Sequence, residues 1–99
     1  MLKIEKVRDN ENLKIKLYGK LDITTSSDLE KVVKEELDDV KYLEFDLTEL
    51  EYISSSGLRV LLIAIKKMNA QGELVVSNAN EVVQAVFEIT GFYNLVKMV

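Results

Sequence analysis

Three consecutive serines followed by a glycine, Ser54-Ser55-Ser56-Gly57, form the densest group of reactive side chains in the sequence. Hydroxyls at that spacing could accept a transferred group, hold an anion or cap a helix. Capping is the simplest use, because a serine oxygen at a helix start accepts an orphan backbone N–H, and one serine suffices for it. Three of them leave at least one hydroxyl to spare, beside a residue that lets the backbone approach closely. A phosphate there would meet the free N–H groups and the positive dipole end of the helix. On the residues alone both readings stay open.

Most other chemistry is excluded by composition. The 99 residues include no His, no Cys and no Trp. That removes Ser-His-Asp catalysis, imidazole ligation, thiol nucleophiles, zinc–thiolate sites and disulfides. Neither G-x-x-x-x-G-K-[ST] nor G-x-G-x-x-G occurs, so both phosphate-cradling nucleotide fingerprints are missing. G-x-S-x-G and S-x-x-K, the commonest serine-enzyme signatures, are missing too. Asp22 and Asp46 are the one pair of loop acids that could be imagined as a catalytic or Mg²⁺-binding pair. Lone loop acids ordinarily form turns, cap helices or face solvent, and no metal or cofactor is expected. A small enzyme or nucleotide-binding protein would rest on these two acids and the spare hydroxyls alone, so the chain is read as a non-enzyme with no catalytic residue.

Charge and hydropathy narrow the partners. Thirteen basic residues are scattered among seventeen acidic ones, for a net charge of −4. Lys14, Lys16, Lys20, Lys31, Lys34, Lys66 and Lys67 interleave with acids rather than gathering into the patch that a nucleic-acid backbone recruits. The longest apolar run, Val60–Ile65, is far short of the roughly 20 residues of a membrane span. Met1-Leu2-Lys3-Ile4-Glu5 alternates and has no apolar stretch like that of a signal peptide. The expectation is a soluble cytoplasmic protein, without direct nucleic-acid or membrane contact. With no long apolar stripe left over, it should be a monomer.

The serines need a scaffold, and the pattern supplies one. Leu2 and Ile4 alternate with charges, as do Leu13, Ile15 and Leu17, and the turn residues Asp9-Asn10-Glu11-Asn12 lie between them. An antiparallel hairpin is predicted, with Gly19 ending its second strand. Thr25-x-x-Asp28 resembles a capping box for a helix over about 26–37, marked by Leu29, Val32, Val33 and Leu37. Tyr42–Leu47 reads as a short strand and 48–54 as a loop. A second, largely buried helix then starts at Ser54 or Ser55 and runs to about Ala70. After Gly72 comes an apolar strand, Leu74–Ser77. Asn80 caps a third helix through Val82, Val83, Val86, Phe87 and Ile89, and Gly91 stops it. Leu95–Met98 is a last short strand.

Residues 1–99 are thus one α/β domain. It has a small mixed sheet of four to five strands, an opening hairpin followed by parallel strands, and three main helices lying mainly on one face. A chain of this size should have a radius of gyration of about 13 Å. Ligands of such sheets meet the loops that leave the carboxyl ends of the strands. Two such loops stand out, Gly19–Thr25 and Asp46–Leu58, and the crossover rule opens both at one end of the sheet.

Taken together, these loops resemble the STAS domain, and in particular the bacterial anti-sigma factor antagonists. Gly19-x-Leu21-Asp22-x-x-Thr25 carries the first part of the likeness. Asp46-Leu47-Thr48 with Tyr52-Ile53-Ser54-Ser55-Ser56-Gly57-Leu58 carries the second, and Gly72, Val86-Phe87 and Thr90-Gly91-Phe92 the third. The resemblance implies a switchable binding protein. Members engage an anti-sigma factor with serine kinase activity and so free a sigma factor. They are released when that kinase phosphorylates a serine at the start of the second helix, and a metal-dependent serine phosphatase resets them. The modified serine falls on Ser55, with Ser56 and Ser54 as alternative acceptors. The implied partner surface holds Asp22, Thr25, Ser54, Ser56, Gly57, Leu58 and Arg59. Many phosphorylated members carry Asp directly before the modified serine, where this chain has Ser54. The remaining alternative is an interaction module of another signalling or stress complex, using the same face without phosphate.

Overall fold

The opening alternation of apolar and charged residues closes into a hairpin. In the computed structural model, which describes residues 2–99, β1 (Leu2–Asp9) pairs antiparallel with β2 (Asn12–Leu21), with Asp9 opposite Asn12. Asn10 takes the turn's positive φ of 56°, which asparagine tolerates better than most side chains. Leu13, Ile15 and Leu17 are buried on one face of β2, while Lys14 and Lys16 lie on the other. The chain continues through α1 (Ser26–Glu36), β3 (Tyr42–Ile53), α2 (Ser55–Asn69), β4 (Glu73–Ser77) and α3 (Glu81–Thr90). A 3₁₀ turn (Phe92–Asn94) and β5 (Lys97–Met98) complete it.

The five strands lie in the order β1-β2-β3-β4-β5, and every pairing after the hairpin is parallel. Each crossover steps one strand in the same direction. Right-handed crossovers therefore place all three helices on one face, as expected for a mixed sheet of this kind. Leu29 and Val33 of α1, Leu61 and Ala64 of α2, and Val83 and Phe87 of α3 join Ile15, Leu17, Phe45 and Leu47 in a single core. Each of the larger side chains contributes roughly 1.5–3 kcal/mol through burial. The opposite face of the sheet is polar, with Lys14 paired to Glu44 at 3.9 Å and the Ser77 hydroxyl donating to Glu44 at 2.6 Å. The radius of gyration is 12.1 Å, close to the value expected from chain length.

Several elements depart from the sequence reading, each for a local reason. Gly19 does not end β2; its φ of 101° coincides with a break in the β2–β3 register, and the strand runs on to bury Leu21. A glycine at such a break bends a strand rather than terminating it. β3 is twice the expected length, because 48–53 is strand rather than loop. Leu50 and Ile53 are buried and pair with Gly19 and Leu21, although a second register shift hides their period from a simple alternation count. The capping box at Thr25–Asp28 does not form, since the Thr25 side chain is engaged elsewhere. In α3, Val82 and Ile89 are exposed and Val83 and Phe87 are the buried positions. The last strand shrinks to Lys97–Met98, because Phe92–Asn94 winds into the 3₁₀ turn and leaves Leu95 exposed.

Candidate functional site

The long β3 brings the two sequence motifs together. Leu21 and Ile53 are cross-strand partners at the carboxyl ends of β2 and β3, so Asp22 and Ser54 leave the sheet side by side. The Ser54 N–H donates to the Leu21 carbonyl at 2.9 Å and ties the two exits directly. Gly57, on the first turn of α2, packs on this junction. A Cβ there would lie 2.7 Å from Leu21 Cγ and 2.9 Å from Ile53 Cγ1. Any larger residue would force these side chains or α2 to shift, so the small residue follows from the close approach of helix to sheet.

Within the serine run each position has its own role. Ser54, in extended conformation, is the N-cap, and its Oγ accepts from the Gly57 N–H at 3.3 Å. Ser55 and Ser56 are the first helical residues, Ser55 exposed and Ser56 partly covered. Among the described residues neither of these two hydroxyls makes a side-chain hydrogen bond. One serine caps and two are spare, and the better exposed of the two is Ser55. Leu58 is buried beneath them, and Arg59, one turn below Ser55, is exposed and lies 3.4 Å from Glu30 of α1.

The neighbouring turn is polar and self-contained. Asp22 Oδ1 accepts from the Thr24 hydroxyl at 2.8 Å, the Thr24 N–H at 3.0 Å and the Thr25 N–H at 3.1 Å. Those donors, the Thr24 hydroxyl foremost and then the Thr25 N–H, hold the Asp22 carboxyl below the ordinary carboxylate range. The Thr25 hydroxyl donates to the Lys20 carbonyl at 2.9 Å and accepts from the Asp22 N–H at 2.9 Å. Thr25 therefore locks the turn from inside and is nearly buried, whereas Asp22 lies at the surface. Between them Ile23 is 77% exposed at the apex of the turn. Sequence reading missed Ile23; an apolar residue set inside a polar turn is the signal that was available. Leu21 and Ile53 entered the sequence reading only as members of the two motifs, although the repeated step from apolar to polar marks both strand ends.

Asp46 belongs elsewhere. It sits in the middle of β3, paired in register with Lys16 and Ser77, and six strand positions of about 3.3 Å separate Lys16 from Asp22. Asp22 and Asp46 are thus on the order of 20 Å apart along the sheet, and they form neither a catalytic pair nor a shared metal site. No group of three or more potential metal ligands occurs among the described residues. Asp46 is 9% exposed and accepts from the Thr48 N–H at 3.0 Å, the Thr48 hydroxyl and the Asn78 amide. Burial works to raise its pKa, but these donors and Lys14 outweigh it and leave the carboxyl below its usual range. With Lys16, Tyr18, Thr48 and Glu49 it lines a hollow of about 190 Å³ on the helix-free face. A charge on Ser55 would have Asp22 near it, and Asp46 would lie too far away to repel it.

A five-stranded mixed sheet, opened by a hairpin and covered by helices on one face, with a serine-glycine helix start beside an Asp-x-x-Thr turn, defines a class of regulatory domain. The chain belongs to the STAS domain family, whose profile matches residues 3–99. It is 32% identical over 97 residues to the anti-sigma-B factor antagonist of Listeria monocytogenes, covering 94% of this chain and 83% of that protein. Over 51 residues it is 49% identical to the putative anti-sigma factor antagonist BtrV of Bordetella bronchiseptica. That match takes in 50% of this chain and 44% of BtrV. Among solved structures, an anti-sigma factor antagonist from Mycobacterium paratuberculosis superposes with a TM-score of 0.90 at 18% identity, over 99% of this chain and 85% of that one. The phosphorylated form of SpoIIAA, a Bacillus cell fate determinant, superposes at 0.66 and 18% identity, over 100% and 91%. At those identities the structural likeness concerns the fold.

Proposed function

We propose that this chain, acting as one STAS-like unit, is an anti-sigma factor antagonist. It binds an anti-sigma factor that carries serine kinase activity, and phosphorylation of Ser55 releases it. The observation that carries this reading is the division of labour at the start of α2, where Ser54 caps the helix and Ser55 is exposed with a free hydroxyl. The relatives' names support the antagonist role. In the transfer step the Ser55 Oγ forms a bond to the γ-phosphorus of ATP while the bond to the β–γ bridging oxygen breaks. ADP leaves, and the hydroxyl proton passes to a base of the kinase. The partner supplies this chemistry, so the chain itself needs no catalytic residue.

The switch acts through charge. A phosphate adds about −1.5 to −2 charge units and three strong acceptor oxygens. At the helix start these oxygens face free N–H groups, which keeps the effect on the fold small. The partner's surface, shaped for a neutral hydroxyl, meets a bulky dianion beside the Asp22 carboxylate, and a repulsion of this kind falls on the interface. A serine phosphatase returns the chain to its binding form. The deciding experiment titrates the cognate anti-sigma factor with the unmodified chain and with the chain phosphorylated at Ser55. The phosphorylated form should bind at least tenfold more weakly, and equal affinities would end the proposal. The neutral cap Ser54, where many members have Asp, favours a second reading in which the face binds without phosphate control. In that case Ser55→Asp leaves affinity unchanged.

A further inference from the structure

One ion pair bridges α1 and α2, and a second ties α2 to the turn that follows α1. Arg59 meets Glu30 at 3.4 Å and Lys67 meets Asp38 at 3.0 Å, and both pairs are 29 residues apart in sequence. The Arg59–Glu30 offset, on two helices that both follow parallel strands, sets them side by side and running in the same direction. Extended one turn toward the N-termini, it places Ser55 beside Ser26, at the N-terminal end of both helices. On α2 itself Ser55 and Arg59 are four residues apart, and side chains at that spacing are neighbours on a helix surface, about 5–6 Å apart at Cβ.

Arg59 is held loosely in the unmodified chain. Its side chain is 66% exposed, and the Glu30 oxygen it faces belongs to a carboxylate with a closer partner, Lys34 at 2.8 Å. Glu30 therefore keeps a cation if Arg59 leaves. A phosphate on Ser55 would offer Arg59 a doubly charged acceptor on its own helix, suited to the planar fork of a guanidinium. Asp22, which leaves the sheet beside Ser54, is already occupied by Thr24 and Thr25.

We propose that Arg59 is the internal receptor for a phosphate on Ser55, its guanidinium exchanging Glu30 of α1 for the phosphate oxygens. This rests on the reading of Ser55 as the modified residue. The exchange neutralises part of the added charge within the molecule. It also withdraws a surface cation from the partner-facing end, so modification alters that face by adding an anion and by removing a cation together.

The test uses the full chain with phosphoserine placed at position 55 by genetic encoding, which makes it independent of any kinase. The phosphate's second ionisation, ordinarily near pH 6, is followed by ³¹P NMR in four proteins: the native sequence, Arg59→Gln, Arg59→Lys and Glu30→Gln. Charged neighbours common to all four are Asp22 and Lys34. Arg59→Gln should raise that pKa by about half a unit or more, a threefold or greater change in proton affinity. Arg59→Lys should fall between, and Glu30→Gln should match the native value or lie below it. Coincident titrations of the native and Arg59→Gln proteins would overturn the pairing. A kinase that never modifies Ser55, alongside an Arg59-dependent phosphate pKa, would instead overturn the functional reading and leave the pairing standing.

Discussion

Two helices of this molecule begin in nearly the same composition and end up with different chemistry. α1 opens through Thr24-Thr25-Ser26-Ser27, and α2 through Ser54-Ser55-Ser56. At the start of α1 three of the four hydroxyls are engaged, Thr24 donating to Asp22, Thr25 to the Lys20 carbonyl and Ser26 to the Ile23 carbonyl at 3.4 Å, while Ser27 is exposed. Before α2 only Ser54 is engaged, as a cap. The difference is the carboxylate. Asp22 gathers the donors of its turn into a closed local network, whereas no acid stands within the Ser54–Gly57 segment, so its hydroxyls stay free. Hydroxyl-rich sequence at a helix start is therefore not itself a site; what matters is whether something nearby consumes the hydroxyls.

That contrast can be broken most sharply by chemistry. With the cognate kinase and ATP, Ser55→Ala should abolish phosphate incorporation read by mass spectrometry. Ser27→Ala, which removes the exposed hydroxyl of the α1 start, should leave incorporation at the native level. Incorporation at α1 in the native chain would show that the two starts are equivalent after all.

Next in size is the third helical position of each start. Asp28 of α1 is exposed, while Gly57 of α2 is buried against Leu21 and Ile53. Gly57→Ala overpacks that junction and should destabilise the fold by about 1–3 kcal/mol in urea unfolding. Asp28→Ala should stay within about 0.5 kcal/mol.

The caps come third. Ser54→Ala removes the acceptor for the Gly57 N–H and should cost about 1 kcal/mol. Thr25→Ala should cost a comparable 1–2 kcal/mol for a different reason, since it unpairs the turn's Lys20 carbonyl and Asp22 N–H rather than a helix end. Thr25→Ser, which keeps the hydroxyl, should recover most of that loss while Ser54→Gly recovers most of the other, and the paired rescues separate a turn lock from a cap.

The smallest effect is in pH. Asp22 has a folded-state pKa below its unfolded value. The stability it contributes is therefore fully present above the ordinary Asp value of about 3.9, and is lost as pH falls below it through the folded pKa. Amide exchange at Thr24 and Thr25 should accelerate in that acid window. Asp22→Asn should remove the dependence without touching the α2 start.

Much of this was legible in the residues. The hairpin follows from alternation at Leu13, Ile15 and Leu17, and the three helices from their spacing and from the Asn80 and Gly91 signals, both found as cap and stop. The parallel order follows from strand–helix alternation. The length of β3 was not legible, because a register shift between Lys16 and Tyr18 and another after Gly19 disguise the period that marks Leu50 and Ile53 as strand. The same failure misplaced Asp46 at the end of the sheet. The exposure of Val82 and Ile89 was illegible for another reason, since an apolar residue does not announce which flank of a helix its neighbours cover.

By itself the sequence determined the chemical inventory: no imidazole or thiol, a spare serine at a helix start, and an acid with two threonines in a turn. Local preferences suffice for that, because capping, turn formation and hydrophobic period act over a few residues. Which hydroxyl is free, which acid stands near it, and that Arg59 meets Glu30 were decided only in three dimensions. They depend on strands β2 and β3 ending level at Leu21 and Ile53, and on two helices packed in parallel register. Residues some thirty positions apart meet there through the crossover geometry, which no local signal encodes.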